Sequence, residues 1–167
     1  STTASVFFYP AEVQKNILLE AFTSQYCSNC PAGHRTMDAA VEQLEAEGVT
    51  VHEVVHHSGY QNDIFTMLED NDCCFFYGSN STFAPAVMVN RWHASTSSNP
   101  GPVFNTSAAM IVNTVHACLE REPYVQLHLQ TRFDRDTRKV TILVDVDCLR
   151  KHAAGAVMRN LMLFQDN

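Results

Sequence analysis

Cys27 and Cys30, three residues apart, are the pair in this chain best placed by type and spacing to do chemistry. The stretch Cys27-Ser28-Asn29-Cys30-Pro31 follows an apolar run that opens at Ile17, Leu18 and Leu19. It precedes Met37, Ala40, Val41 and Leu44, which recur at helical spacing. A C-x-x-C set between a buried strand and a helix is the sequence form of a thiol–disulfide site. Two cysteines so spaced in a first helical turn can close a small disulfide ring. The leading thiolate then lies where unpaired N–H groups and the helix dipole favour negative charge. Pro31 suits that place, because first-turn N–H groups have no intrahelical partner. This predicts Cys27 as the more exposed sulfur and Cys30, one turn in, as the more buried. A structural disulfide or half of a zinc site is the plainer reading of the same motif. A closed zinc site needs four ligands, and the vicinal pair Cys73-Cys74 is a poor second half.

The elements that must position the pair are legible around it. Glu47-Gly48 stops the helix with glycine just past its end. Residues 49–56 are rich in β-branched side chains and read as a second strand. Strand, helix and returning strand make a βαβ unit with parallel strands. Its strand ends share one edge, so His56 or His57 is expected near Cys27, as thiolate partner or proton carrier. The alternative is that both histidines merely finish the strand and bond to loop backbone. Asp63 is expected to cap a helix from Ile64 to about Phe76, with Phe75, Phe76 and Tyr77 in the core. Residues 78–81 form a turn-rich break, and Pro85 then opens an apolar strand over 86–90. Trp92, His93 and Ala94 read as a weak return arm. Residues 107–119 read as helix, closed by Pro123.

Beyond that point the pattern alternates over 124–133 and 139–146, with a hairpin connection at 134–138 and a third strand expected over 156–164. The expected organisation is therefore a lead-in over 1–14, containing the apolar Val6-Phe7-Phe8-Tyr9, then an α/β domain over 15–122. An antiparallel β-rich unit over 123–167 follows, truncated here or completed by another chain. His128 and His152 fall in that unit without a matching ligand set.

Composition narrows the partners. A formal charge of -7 provides no basic surface for nucleic acid, and no Lys/Arg cluster marks an anionic lipid site. No apolar run approaches the roughly 20 residues of a membrane span. The first ten residues lack the basic start and apolar block of a signal peptide. Six cysteines are many for a reduced domain of 167 residues and fit an exported, oxidising setting. Cys73, Cys74, Cys118 and Cys148 allow three pairings, or stand as buried thiols.

Three stretches carry a resemblance to a known family: Leu18-Leu19-Glu20-Ala21-Phe22-Thr23, Tyr26-Cys27-Ser28-Asn29-Cys30-Pro31-Ala32-Gly33 and Pro85-Ala86-Val87-Met88-Val89-Asn90-Arg91. Together they resemble thioredoxin-like proteins, and more narrowly the outer-membrane lipoprotein-related family of Bacteroides-type bacteria. The resemblance implies a thioredoxin-like domain, a central mixed sheet with flanking helices, followed by a partial β-sandwich-like, immunoglobulin-like antiparallel unit. It makes Cys27 the attacking cysteine, Cys30 the resolving one and Pro85 a cis-proline facing them. Tyr26, Phe83 and Ala84 would then meet an extended substrate.

Departures are Tyr26 in place of tryptophan, Ala84 in place of threonine, and Ala21 where related proteins often carry a buried acid. Glu20 is adjacent, but strand alternation points it to the other face. The expected function is an exported thiol–disulfide oxidoreductase acting on protein thiols or disulfides in the periplasm or cell envelope. No cofactor is expected, and a removed lipid-anchored leader would tie it to the outer membrane. A non-enzymatic envelope binding or adhesion protein on the same scaffold is the first alternative. A copper or zinc carrier using Cys27, Cys30 and a histidine is the second.

Overall fold

A computed structural model describes residues 15–77, 83–93, 101–123 and 125–149. The apolar lead-in at Val6 to Tyr9, the turn at 78–81, the strand expected over 156–164 and His152 lie outside the described residues. So do the side chains of Cys74, Phe75, Phe76 and Cys148. The chain divides between Glu122 and Pro123 into two compact units.

The first unit is built on a four-stranded mixed sheet. Its elements are β1 (Ile17–Phe22), α1 (Cys30–Ala46), β2 (Val51–His56), α2 (Leu68–Tyr77), β3 (Ala86–Val89), β4 (Phe104–Asn105) and α3 (Ala108–Glu120). The strand order is β2-β1-β3-β4. β1 and β2 run parallel, with Ile17 opposite Val51 and Phe22 opposite His56. β3 returns antiparallel on the other side of β1, with Phe22 opposite Ala86. The short β4 pairs with β3.

β1 is central, so it is buried on both faces and lacks the alternation of a half-exposed strand. Ile17, Leu19 and Ala21 point into the larger core, with Met37, Ala40, Val41 and Leu44 of α1 and Ile111, Val112 and Val115 of α3. Phe22 points the other way, with Ala86, Met88 and Val103, against Tyr77 and Phe83. Residues 30, 33, 37, 40, 41 and 44 are the buried stripe of α1, the 3–4 spacing of one helical face. Gly48, at φ 81°, ends that helix. Val49 N–H donates to Leu44 O and Gly48 N–H to Glu45 O, the paired bonds of a Schellman end that favours glycine. Ser107 caps α3 by accepting from Met110 N–H.

Two expectations need correction here. The helix expected from Ile64 begins only at Leu68. Asp63 is not its cap, because its carboxylate is taken by Phe65 N–H, Gln25 N–H and His57. Trp92 does pair back on Val89, but as a single bridge across a two-residue turn. Asn90 and Arg91 make that turn at φ 47° and 53°. Asn90 is locked there by Leu18, whose N–H donates to Asn90 Oδ1 at 2.7 Å.

Among the described residues, the second unit is an antiparallel hairpin of β5 (Val125–Asp134) and β6 (Lys139–Cys148). Directly opposed pairs share a face. Leu127 with Val146, Leu129 with Val144 and Phe133 with Val140 therefore form an apolar side, opposite one carrying His128, Asp145 and Asp147.

Candidate functional site

The approach to the cysteines is held from two directions. After β1 ends, Thr23 N–H donates to His56 O at 2.9 Å, which extends the parallel pairing by one step. The next residue, Ser24, donates its hydroxyl to Gln61 O at 2.6 Å. Gln25 N–H then donates to Asp63 Oδ2 at 2.7 Å. The chain turns with Cys27 N–H on Ser24 O and Cys30 N–H on Cys27 O. The loop over 57–66 thus clamps the segment just before the motif.

Cys27 and Cys30 form a disulfide, S–S 2.09 Å, with Cα atoms 5.4 Å apart. α1 starts at Cys30, so Cys27 lies in the turn before the helix and not in its first turn. The expected contrast in exposure is nearly absent: Cys27 is 6% exposed and Cys30 3%. The backbone turn folds Cys27 inward, while Tyr26 beside it is 52% exposed.

Pro85 meets the motif through Gly33. The Ala84–Pro85 bond is cis. A Cβ placed on Gly33 would lie 2.5 Å from Pro85 Cβ and 2.8 Å from Pro85 Cγ, so only glycine allows this approach of α1 to the proline. Ala84 and Phe83 are half-buried, and Phe83 packs under the sheet on the Phe22 side. A shallow recess opens where Gly33 and Pro85 meet, walled also by Ala21, His34 and Met37. His34 Nε2 lies 3.3 Å from Thr23 Oγ1. His34 escaped the sequence reading, although its place four residues after Cys30 on one helical face was a usable signal.

His56 is the last residue of β2 and His57 follows it, and each is bound by carboxylates. His56 is fully buried and stacks on Phe22. Its Nε2 lies 3.2 Å from Glu20 Oε1 and its Nδ1 2.8 Å from Asp70 Oδ1. Arg91 closes the cluster with two bonds to Glu20, Nε to Oε2 at 3.0 Å and Nη2 to Oε1 at 2.9 Å, and a third to Tyr77 Oη. Alternation along β1 places Glu20 on this side and Ala21 on the side of α1.

Burial by itself would raise the Glu20 carboxyl, but the bonds from His56 and Arg91 outweigh it and hold it below its usual range. Burial would likewise lower His56, yet its bonds to Glu20 and Asp70 raise it above the usual imidazole value. His57 Nδ1 lies 2.7 Å from Asp63 Oδ2 and its ring sits against Phe65. Asp63 is held well below the usual carboxylate range; burial opposes this, and the amide of Gln25 and the His57 ring prevail. The pairings of Asp63 with His57 and of Asp70 with His56, and the reach of Arg91 to Glu20, were not anticipated.

Among the described residues, no group of three or more His, Cys, Asp or Glu side chains comes together to hold a metal ion. Cys118 is a buried thiol in the larger core, and burial pushes its pKa up. Among the described residues, no helix is long and apolar enough to cross a membrane. What the Cys27–Cys30 pair can do chemically is exchange: its disulfide accepts a thiolate, and its dithiol attacks another disulfide.

No family model and no curated protein matches the sequence. The chain is similar to a protein of Agrobacterium tumefaciens whose X-ray crystal structure came from a structural genomics programme, with a TM-score of 0.48 and 19% identity. The similarity covers 75% of this chain and 54% of that one, so the chain spans about half the length of that neighbour.

Proposed function

We propose that this chain is a thiol–disulfide oxidoreductase on a thioredoxin-like domain, acting on protein thiols and disulfides in the cell envelope. The observation that carries the reading is the Cys27–Cys30 disulfide at the start of α1, with Pro85 brought against that helix through Gly33. In the reduced form, the Cys27 thiolate attacks one sulfur of a substrate disulfide. A mixed disulfide forms and the other substrate sulfur leaves as thiolate. Cys30 then attacks Cys27 Sγ, the intramolecular disulfide closes, and the second substrate thiol is released. The substrate disulfide has gained two electrons and the cysteine pair has lost two. Run backwards, the same steps oxidise a substrate dithiol. Tyr26, exposed beside Cys27, and the backbone of Ala84 are the surfaces a substrate strand would meet.

A second reading is favoured by one fact, the near-complete burial of both sulfurs. In that reading the disulfide braces the start of α1 in an envelope binding protein, and no exchange occurs. The copper or zinc carrier finds no third ligand for its cysteines among the described residues.

Serine variants separate the readings. Reduced Cys30→Ser should attack a disulfide-bonded peptide and remain joined to it, giving a stable adduct on a non-reducing gel. Cys27→Ser and the double variant should give no adduct. Equal, negligible adduct from all three variants would leave the bracing role.

A further inference from the structure

We infer that His34 carries the Cys30 proton during exchange, a role that rests on the oxidoreductase reading. Resolution requires Cys30 as thiolate, since the thiol does not attack. Cys30 is 3% exposed, so bulk water is poorly placed to take its proton directly. One helical turn on, along the same face of α1, stands His34. The imidazole is tied to the end of β1 through Thr23 Oγ1 at 3.3 Å, and it walls the recess where α1 meets Pro85.

The rest of that recess offers no competing base. Ala21, Phe22, Met37, Pro85 and Ala86 are apolar, and Thr106 contributes a hydroxyl. The two histidines at the end of β2 are committed elsewhere, His56 to Glu20 and Asp70, His57 to Asp63. Ala21, whose side chain is a single methyl, lines the same recess as the imidazole. Among the described residues, His34 is thus the recess's ionisable group, and imidazole is the side chain most used for such transfers.

The step balances. The Cys30 S–H proton passes to the His34 ring as the Cys30 sulfur attacks Cys27 Sγ. The Cys27–Cys30 bond forms while the bond from Cys27 to the substrate sulfur breaks. The departing substrate thiolate takes the proton back from the imidazolium.

The two chemical steps can be timed apart. Reduced protein is mixed with glutathione disulfide and quenched in acid, and intact-mass spectrometry counts reduced, glutathionylated and disulfide-closed forms over time. For His34→Gln, the ratio of decay to formation of the glutathionylated form should fall by about tenfold or more relative to native protein. In His34→Ala, added imidazole should restore the decay, a rescue that a purely structural role would not produce. A native-like ratio in His34→Gln, or no rescue of His34→Ala by imidazole, would overturn the role of His34 while leaving the oxidoreductase reading intact. Native protein that takes up no glutathione at all would overturn both.

Discussion

Gly33 sets how closely the helix carrying the cysteines approaches Pro85. The proline ring cannot rotate away as a long side chain would, so an added methyl at 2.5 Å from its Cβ must displace backbone. Thr106 Oγ1, at 3.2 Å, confines the same space from the β4 side. Gly33→Ala is therefore expected to lose about 1–3 kcal/mol in urea unfolding and to slow exchange with a disulfide peptide. Unchanged stability together with unchanged exchange would mean that the contact between α1 and Pro85 is dispensable. At this scale the pair Cys27 and Cys30 was legible because both the residue type and the spacing are chemical signals. The isomer of the Ala84–Pro85 bond was expected from the family resemblance, and the bond is cis. The spacing of His34 from Cys30 was legible, but its place in the recess beside Pro85 was not, since that depends on which face of α1 looks there.

The buried cluster beneath the sheet joins four elements: Glu20 from β1, His56 from β2, Asp70 and Tyr77 from α2, and Arg91 from the turn after β3. It gives the first unit a distinctive pH dependence. Glu20 is held below its unfolded value, so its contribution is present above about pH 4.3 and is lost as pH falls through the lowered folded value. His56 is raised, so its contribution is complete below about pH 6.5 and is lost as pH rises through the raised folded value. Stability should peak between these limits and decline on both sides. Urea midpoints measured from pH 3 to 9 would show it, and His56→Asn should flatten the alkaline limb. An identical alkaline decline in that variant would assign it to another group.

The long periodic elements α1, α3, β5 and β6 were legible because each repeats a period for at least three turns or five alternations. The start of α2 was not, because Asp63 spends its carboxylate on residues 25 and 57 instead of on a helix end. β4 spans only two residues, too short for any period to register.

The described residues fall into two units with different architectures, a mixed four-stranded sheet with helices and a two-stranded antiparallel hairpin. The change of texture after Pro123 was plain in sequence, because alternation replaces the helical period there. The hairpin's apolar side leaves Leu127, Leu129 and Phe133 more than half exposed. The cysteine pair and Pro85 of the proposed activity lie in the first unit, and its central claim is that the Cys27–Cys30 disulfide opens and closes in use. Equilibrating the intact protein in graded redox buffers, then alkylating free thiols and counting them by mass spectrometry, measures this directly. A functional pair is expected to titrate reversibly with a midpoint between about −270 and −120 mV, the span of known dithiol oxidoreductases. A disulfide that stays closed in buffers more reducing than about −300 mV would contradict the claim and make the pair a structural brace.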